Sequence, residues 1–312
     1  MYALSAADLI AFETSELAAL VERYSDDRAA LRRRWAVPYS ESRRERFRRF
    51  YAEWQASLDA LSYDALGTEA RLDYQMLRNE LWYRGAELDR EELLRAQMEE
   101  LLPFASSIEA LEERRRDRQP VQSEEAAELL AGLPDRIDEV RDRLRERDEG
   151  DGEDAPSRVV ALRAAETLGR LTSILNGWYE HYAGYDPVFT WWNESPHEAA
   201  KEALEGYEKS LREEIVGAKD GEEPIVGDPI GADALAADLR HAMIVYTPAE
   251  LIAIGERELA WGEARMLEAS REMGFGDDWK AALEHVKTLH REPGEQTQLT
   301  RELAEEAVAF LK

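Results

Sequence analysis

The segment His197-Glu198-Ala199-Ala200-Lys201 is the nearest approach in this sequence to a metal-hydrolase motif. A zinc peptidase helix carries His-Glu-x-x-His, because imidazoles four residues apart share one helix face and bind the metal while the glutamate activates water. Here Lys201 stands where the second imidazole is needed, and its charge repels zinc. Ser195 and Pro196, just before the motif, are typical of a helix N-terminus, which explains Glu198 as a capping residue. We predict that this segment binds no metal.

The remaining polar residues form no recognised catalytic pattern. The other histidines, His181, His241, His285 and His290, are scattered, and we expect structural or surface roles for them. The acidic loop at 148–154 fails the calcium-loop spacing, because Gly150 stands where an oxygen ligand is needed. Walker, dinucleotide-binding and Gly-x-Ser-x-Gly motifs are absent from the sequence. We therefore predict no catalytic residue and no metal ligand in this chain.

The segment 177–192, GWYEHYAGYDPVFTWW, holds eight aromatic side chains in sixteen positions when His181 is counted. Its second half appears non-periodic, and we expect an irregular connection between a helix end and a new helix capped by Ser195. Aromatic walls with a few polar groups are typical of peptide and sugar clefts. The alternative is a buried packing hub between helices. If the segment lines a cleft, the predicted substrate-binding residues are Tyr182, Tyr185, Phe189, Trp191 and Trp192.

Apolar residues recur at helical spacing along most of the sequence, which predicts an all-α fold. After Ser40, one such stripe consists of Phe47, Phe50, Tyr51, Trp54, Leu58 and Leu61. A second runs from Leu130 to Leu144, with Pro134 expected to kink or interrupt its helix. The segment from Arg158 to Tyr182 is a third long helix, and Thr247-Pro248-Ala249-Glu250 predicts a capped helix start.

The prediction for domain organisation is one helical region spanning 1–312. A flexible acidic loop is expected at about 147–156, within that region. The stretch from Gly217 to Gly231 also looks irregular, with room for a short extended piece. No internal repeat of fixed period is apparent.

Charge and composition disfavour or exclude several classes of function. The chain of 312 residues carries 67 acidic against 40 basic side chains, a net charge of −27, which disfavours binding to nucleic acid or anionic membranes. Only six of the 40 cations are lysines, which is typical either of a salt-adapted host or of a GC-rich genome. The absence of cysteine excludes thiolate metal sites and cysteine nucleophiles. No signal or membrane-spanning segment is visible, so we expect a cytoplasmic protein.

Two segments resemble a large bacterial family named domain of unknown function 885, whose members are similar to zinc metallopeptidases. They are the aromatic stretch GWYEHYAGYDPVFTWW and the block from Ile225 to Lys312, which includes IVYTPAELIAIGERELAWGEARMLEASREMGF. The resemblance implies an almost entirely helical fold, an elongated array that forms one lobe of a peptidase-like cleft. It also implies a zinc motif of His-Glu followed by Pro-Gly-His-His, which does not occur in this sequence.

Family members are nearly twice as long, so the resemblance implies that this chain is the N-terminal half of a zinc-dependent peptidase. It would supply a cleft wall, while zinc and its ligands belong to the C-terminal half, the expected partner. A peptide is the expected substrate of the intact protein. This chain alone is predicted to be inactive, with an exposed apolar face near Phe310. The alternative is a non-catalytic helical binding or scaffold protein, and a third option is a hydrolase that uses carboxylates and a bound divalent metal at a position the sequence does not reveal.

Overall fold

A computed structural model describes residues 15–148, 156–219 and 224–311, and most of these residues are helical, without any β-strand among them. The chain forms two compact units, at residues 1–243 and 244–312. The all-α prediction is confirmed. Most of the acidic loop expected at 147–156 lies outside the described residues, whereas residues 224–231 form no regular element, as expected. No helix in the described ranges has the length and apolar composition needed to cross a membrane.

The first unit contains nine described α-helices, a short 3₁₀ turn at Tyr63–Ala65 and a π-helical turn at Leu211–Val216. The α-helices are α1 (Ala18–Arg34), α2 (Glu41–Asp59), α3 (Thr68–Met98), α4 (Ala105–Arg116), α5 (Ser123–Ala131), α6 (Leu133–Asp148), α7 (Arg158–Tyr182), α8 (Pro187–Ser210) and α9 (Ala232–His241). Gly217 ends the π-helical turn with a φ of 88°, a left-handed conformation that glycine adopts without a Cβ clash.

Two apolar cores stabilise the first unit. The N-terminal core joins α1, α2 and α3, and it contains the predicted stripe residues Phe47, Phe50, Tyr51 and Leu58. The second core joins α4 to α8 with the end of α3, and its largest buried side chains include Trp178, Tyr207, Phe104 and Phe189. The break predicted near Pro134 is confirmed, because α5 ends before Gly132 and Pro134 lies in the first turn of α6.

The start of α8 differs from the prediction. Helix α8 begins at Pro187, where the Asp186 carboxylate accepts hydrogen bonds from the backbone N–H groups of Val188 and Phe189. Ser195 is not a cap, and Pro196 lies inside the helix. The prediction was wrong because one buried face runs through Pro196 without interruption. That face consists of Phe189, Asn193, His197, Ala200, Leu204 and Tyr207, at spacings of three and four.

The second unit contains α10 (Pro248–Glu272), α11 (Trp279–Thr288) and α12 (Gln296–Leu311). The predicted capping box at Thr247 and Glu250 is confirmed: Thr247 accepts from the Glu250 N–H, and the Glu250 carboxylate accepts from the Thr247 N–H. In the described part of this unit only Ser270 and Ala282 are buried. Its apolar side chains are largely exposed, including Ile252, Leu259, Trp261, Leu303, Val308, Phe310 and Leu311.

Candidate functional site

The aromatic segment forms the corner between α7 and α8. Helix α7 ends at Tyr182, and Gly184 reverses the chain with a φ of 78°. The Gly184 N–H donates to the Thr190 hydroxyl, and that hydroxyl donates to the Asp186 carbonyl, which fixes the corner against the first turn of α8. The sequence prediction of an irregular connection is therefore wrong for most of the segment, since only residues 183–186 lie outside a helix.

The inner side of the corner is a cluster of packed rings. The Trp178 ring lies edge-on to that of Phe189 with centroids 5.2 Å apart, and the Tyr182 ring lies 5.0 Å from Phe189. Phe189 is 0 % exposed and offers no surface to a substrate. We therefore assign Phe189 to the packing that holds α7 against α8. The packing-hub interpretation accounts for this inner side.

The outer side of the corner presents aromatic rings to solvent. Tyr185 is 90 % exposed and Trp191 is 74 % exposed, and Val188 between them is exposed as well. Trp192 is half-buried, with its ring edge-on to Trp191 at 4.9 Å. Val188, Trp191 and Trp192 follow helical spacing, so these side chains share one face at the start of α8, and Tyr185 lies in the turn just before that helix. Exposed apolar patches of this kind mark interaction sites more often than isolated surface residues do.

A small cleft lies beside Tyr182, lined by residues of α4, α5 and α7 and of the loop before α5. Its volume is about 220 Å³, below the range of roughly 300–1,000 Å³ that drug-sized ligands fill, so it has room for a single amino-acid-sized group. Trp178, Tyr182, Leu111, Pro120, Val121, Ala126 and Leu129 form its apolar wall. Its polar lining consists of Arg114, Arg115, Gln119, Gln122 and Glu125.

The end of α4 places the polar groups of the cleft. The N–H groups of Arg118 and Gln119 donate to the carbonyls of Arg115 and Arg114, the paired hydrogen bonds of a Schellman cap. Arg118 holds the left-handed position, with a φ of 57°. Asn193 of α8 donates to the Ser123 carbonyl at 3.0 Å, which ties the start of α5 to the corner. The rim of the cleft is thus built from helix ends fixed by backbone hydrogen bonds.

Ion pairing distinguishes the two arginines of the cleft. Arg115 donates to the buried Glu112 carboxylate through Nε at 2.7 Å, and Arg116 donates to the same carboxylate. Burial alone would raise the pKa of Glu112, but these arginine hydrogen bonds outweigh it and lower the pKa. Desolvation raises the pKa of Tyr182 and outweighs the opposite effect of Arg115, so the phenol is neutral near pH 7. Arg114 is exposed and has no ion pair within the described residues.

The His197-Glu198 segment lies in the middle of α8, not in a first turn. His197 is buried, its ring stacks on Tyr179 at 4.0 Å, and its Nε2 lies 3.0 Å from Asn176 Oδ1. Within the described residues, no three histidine, aspartate or glutamate side chains are grouped so that they could hold a metal ion. His197 is a packing residue between α7 and α8.

The burial of His197 predicts a pH dependence of stability. Desolvation lowers the pKa of His197 below 6.5; Glu198 opposes this effect, and Lys201 adds to it. The unfolded chain therefore binds this proton more readily, so His197 contributes its full stability above about pH 6.5 and loses it as the pH falls toward the folded pKa. We expect His197→Gln to flatten the fall in unfolding free energy between pH 7 and pH 5, measured by urea titration. The exposed control His290→Gln should leave that slope unchanged, and an unchanged slope in both variants would contradict the assignment.

A wider groove of about 860 Å³ lies between α1 and α2, away from the aromatic segment. Leu20, Leu31, Trp35 and Trp54 supply its apolar lining. The guanidinium of Arg46, also in its lining, has one buried nitrogen, Nη1, without a hydrogen-bond partner. This groove provides an internal comparison for binding experiments, because it too contains tryptophans.

The structure brings four of the five predicted substrate-binding residues to accessible positions: Tyr182 at the cleft, and Tyr185, Trp191 and Trp192 on the outer face of the corner. The sequence analysis missed the other side of the cleft, from Arg114 to Leu129. The signal in the sequence is weak, an arginine-rich helix end followed by Gln119-Pro120-Val121, and nothing in it indicates that this helix end faces Tyr182.

Comparison with curated proteins and with solved structures finds no match to this chain. One family profile does match, described as "Bacterial protein of unknown function (DUF885)", and it covers residues 21–312. That match includes α7, α8 and all three helices of the second unit, the segments on which the resemblance was based. The chain therefore belongs to the bacterial DUF885 family.

Proposed function

We propose that this chain binds peptides at the corner between α7 and α8, as the N-terminal helical portion of a zinc-dependent peptidase. The observation that carries the proposal is the combination of exposed rings at Tyr185 and Trp191 with an apolar cleft beside Tyr182. Exposed rings stack on flat peptide groups, while a cleft of about 220 Å³ accepts one side chain. Together they supply part of the wall of a substrate cleft.

The zinc site of this proposal lies outside the described residues, whose acidic and histidine side chains do not fit a metal. We assign zinc and the hydrolytic step to the C-terminal half that the family resemblance implies. Chain 1–312 alone is then a peptide-binding protein without hydrolytic activity. Hydrolysis of a peptide by this chain, sensitive to a chelator, would contradict that assignment.

The exposed apolar side chains of the second unit favour binding to another protein. Phe310 is 88 % exposed, and Leu303, Val308 and Leu311 on the same helix are exposed as well. Several exposed apolar side chains on one helix are stabilised when another protein surface covers them and removes them from water. In our proposal the C-terminal half of the same protein covers these helices.

Peptide binding is tested with the hexapeptide Gly-Ser-Gly-Ala-Leu-Phe, labelled with fluorescein at its N-terminus, in about 150 mM salt, where long-range repulsion between the acidic protein surface and the anionic label is screened. We expect saturable binding in fluorescence anisotropy. Trp191→Ala and Tyr185→Ala should each weaken it about 5- to 30-fold, since an aromatic side chain at a binding surface contributes about 1–2 kcal/mol.

Trp261→Ala is the matched control, because Trp261 is an exposed tryptophan on α10 of the second unit. It should bind the peptide like the wild type. Equal weakening by Trp261→Ala and Trp191→Ala would indicate non-specific adsorption and contradict the proposed site.

The exposed helices of the second unit also favour a second candidate function, a non-catalytic helical scaffold. In that case the corner rings have no peptide ligand, and the apolar side chains of α10 and α12 bind a different protein. The two functions separate in the anisotropy experiment, because a scaffold of this kind leaves the hexapeptide unbound.

A further inference from the structure

Arg114 is the cation of the cleft beside Tyr182 that can pair with a ligand. Arg115 and Arg116, its neighbours on α4, both donate to the buried Glu112 carboxylate, which offsets one of their two charges and holds both guanidinium groups in place. Arg114 lines the cleft, is exposed, and has no carboxylate partner among the described residues. In a chain of net charge −27, an unpaired guanidinium at the mouth of an apolar cleft favours an anionic ligand group.

The apolar wall defines the rest of the ligand. The indole of Trp178 and the ring of Tyr182 line the cleft together with the aliphatic side chains of Leu111, Val121 and Leu129. A volume of about 220 Å³ suits one large aliphatic or aromatic side chain and excludes a folded segment or a nucleotide-sized ligand. The anionic group must therefore lie within a few bonds of a single apolar group.

From this geometry we propose that the cleft binds the C-terminal residue of a peptide, with its apolar side chain against Trp178 and its α-carboxylate paired with Arg114. The inference rests on the proposed peptide-binding function and adds a preference for free C-termini. A planar guanidinium binds a carboxylate through two parallel hydrogen bonds, which a C-terminal amide cannot reproduce.

The remaining polar groups of the cleft fit the backbone of the same ligand. Gln119 and Gln122 carry amides that donate to and accept from a peptide group, and Glu125 accepts from a peptide N–H. Glu125 repels any carboxylate placed beside it, so the α-carboxylate must lie at Arg114 and away from Glu125, and a second carboxylate, as in a peptide ending in aspartate or glutamate, is disfavoured. A free amino acid carries the same α-carboxylate as a peptide C-terminus. The experiment below distinguishes these two kinds of ligand.

The test compares two fluorescein-labelled forms of Gly-Ser-Gly-Ala-Leu-Phe, one with a free C-terminus and one with a C-terminal amide. We expect the amide to bind the wild type about tenfold or more weakly, because it loses the charge-assisted hydrogen bonds to Arg114. Arg114→Gln should reduce binding of the free acid to the level of the amide and leave binding of the amide unchanged. Arg33→Gln is the control, since Arg33 is also an exposed arginine in the last turn of a helix.

The outcomes separate the inference from the function on which it rests. Equal binding of both forms by the wild type overturns the C-terminal preference and leaves the peptide-binding function intact. Equal weakening of both forms by Arg114→Gln overturns the pairing of Arg114 with the carboxylate. If neither form binds, the proposed function fails as well. If N-acetyl-phenylalanine competes as strongly as the whole peptide, the cleft binds free apolar carboxylates, and the peptide assignment is overturned.

Discussion

Trp178→Ala is expected to lower the free energy of unfolding of the first unit by about 3–5 kcal/mol, the range typical of a fully buried aromatic residue reduced to alanine. Trp178 is 2 % exposed, and its ring packs edge-on against Tyr182 and Phe189. Its removal leaves a cavity between α7 and α8 and deletes part of the cleft wall. Urea unfolding followed by far-UV circular dichroism measures the change, with the first unit fitted as its own transition.

Trp191→Ala is the control for this prediction, because it removes the same side chain from the exposed side of the corner. We expect a stability change within about 0.5 kcal/mol for Trp191→Ala, together with the loss of peptide affinity described above. The two tryptophans would then separate the packing role of the inner side from the binding role of the outer side. A similar loss of stability in both variants would contradict this division.

Arg95→Leu is expected to destabilise the first unit by a comparable amount, about 3–5 kcal/mol, because it leaves a buried carboxylate without its charged partner. Glu109 is 4 % exposed, and its Oε1 accepts from Arg95 Nη1 at 2.7 Å. Arg95 also donates to the Tyr39 carbonyl, so it joins the end of α3 to α4 and to the loop before α2. The measurement is again urea unfolding, at pH 7.

The double variant Arg95→Leu/Glu109→Leu tests whether the unpaired Glu109 carboxylate causes the loss of stability. Removing both charges should restore most of the lost stability, because no unpaired carboxylate remains in the interior. Arg23→Leu is the surface control, since Arg23 and Asp27 form an exposed pair on α1, and it should change stability by about 0–1 kcal/mol. If the double variant is as unstable as Arg95→Leu alone, lost side-chain packing and not the unpaired charge determines the effect.

The helices with strong local signals were predictable from the sequence. The segment from Arg158 to Tyr182 forms α7 with the predicted bounds, and the capping box at Thr247 forms as predicted. The start of α8 was not predicted, because the prediction rested on Ser195-Pro196 alone. In the structure Asp186 caps the helix, and tertiary burial of Phe189 and Asn193 favours this earlier of the two starts. A continuous stripe from Phe189 to Tyr207 was the sequence signal that could have decided between them.

The candidate site was predictable only in part, for a related reason. Aromatic clustering identified the corner, but it could not separate Phe189, which is buried, from Trp191, which is exposed. The cleft depends on tertiary packing of α4 and α5 against α7, and the sequence around Arg114 carries no local sign of it. The salt-adapted host and the cytoplasmic location stay predictions from composition.

The most direct test of peptide binding at the corner is a titration of the ¹⁵N-labelled chain with the unlabelled free-acid hexapeptide, observed at the eight tryptophan indole N–H signals. Single Trp→Phe variants assign the signals. We predict progressive, saturable shifts of the Trp178, Trp191 and Trp192 signals, with those of Trp35, Trp54 and Trp261 unchanged. Shifts confined to Trp35 and Trp54 would place the peptide in the groove between α1 and α2, and no shift at any indole would leave the corner without a ligand. Either result would contradict the account.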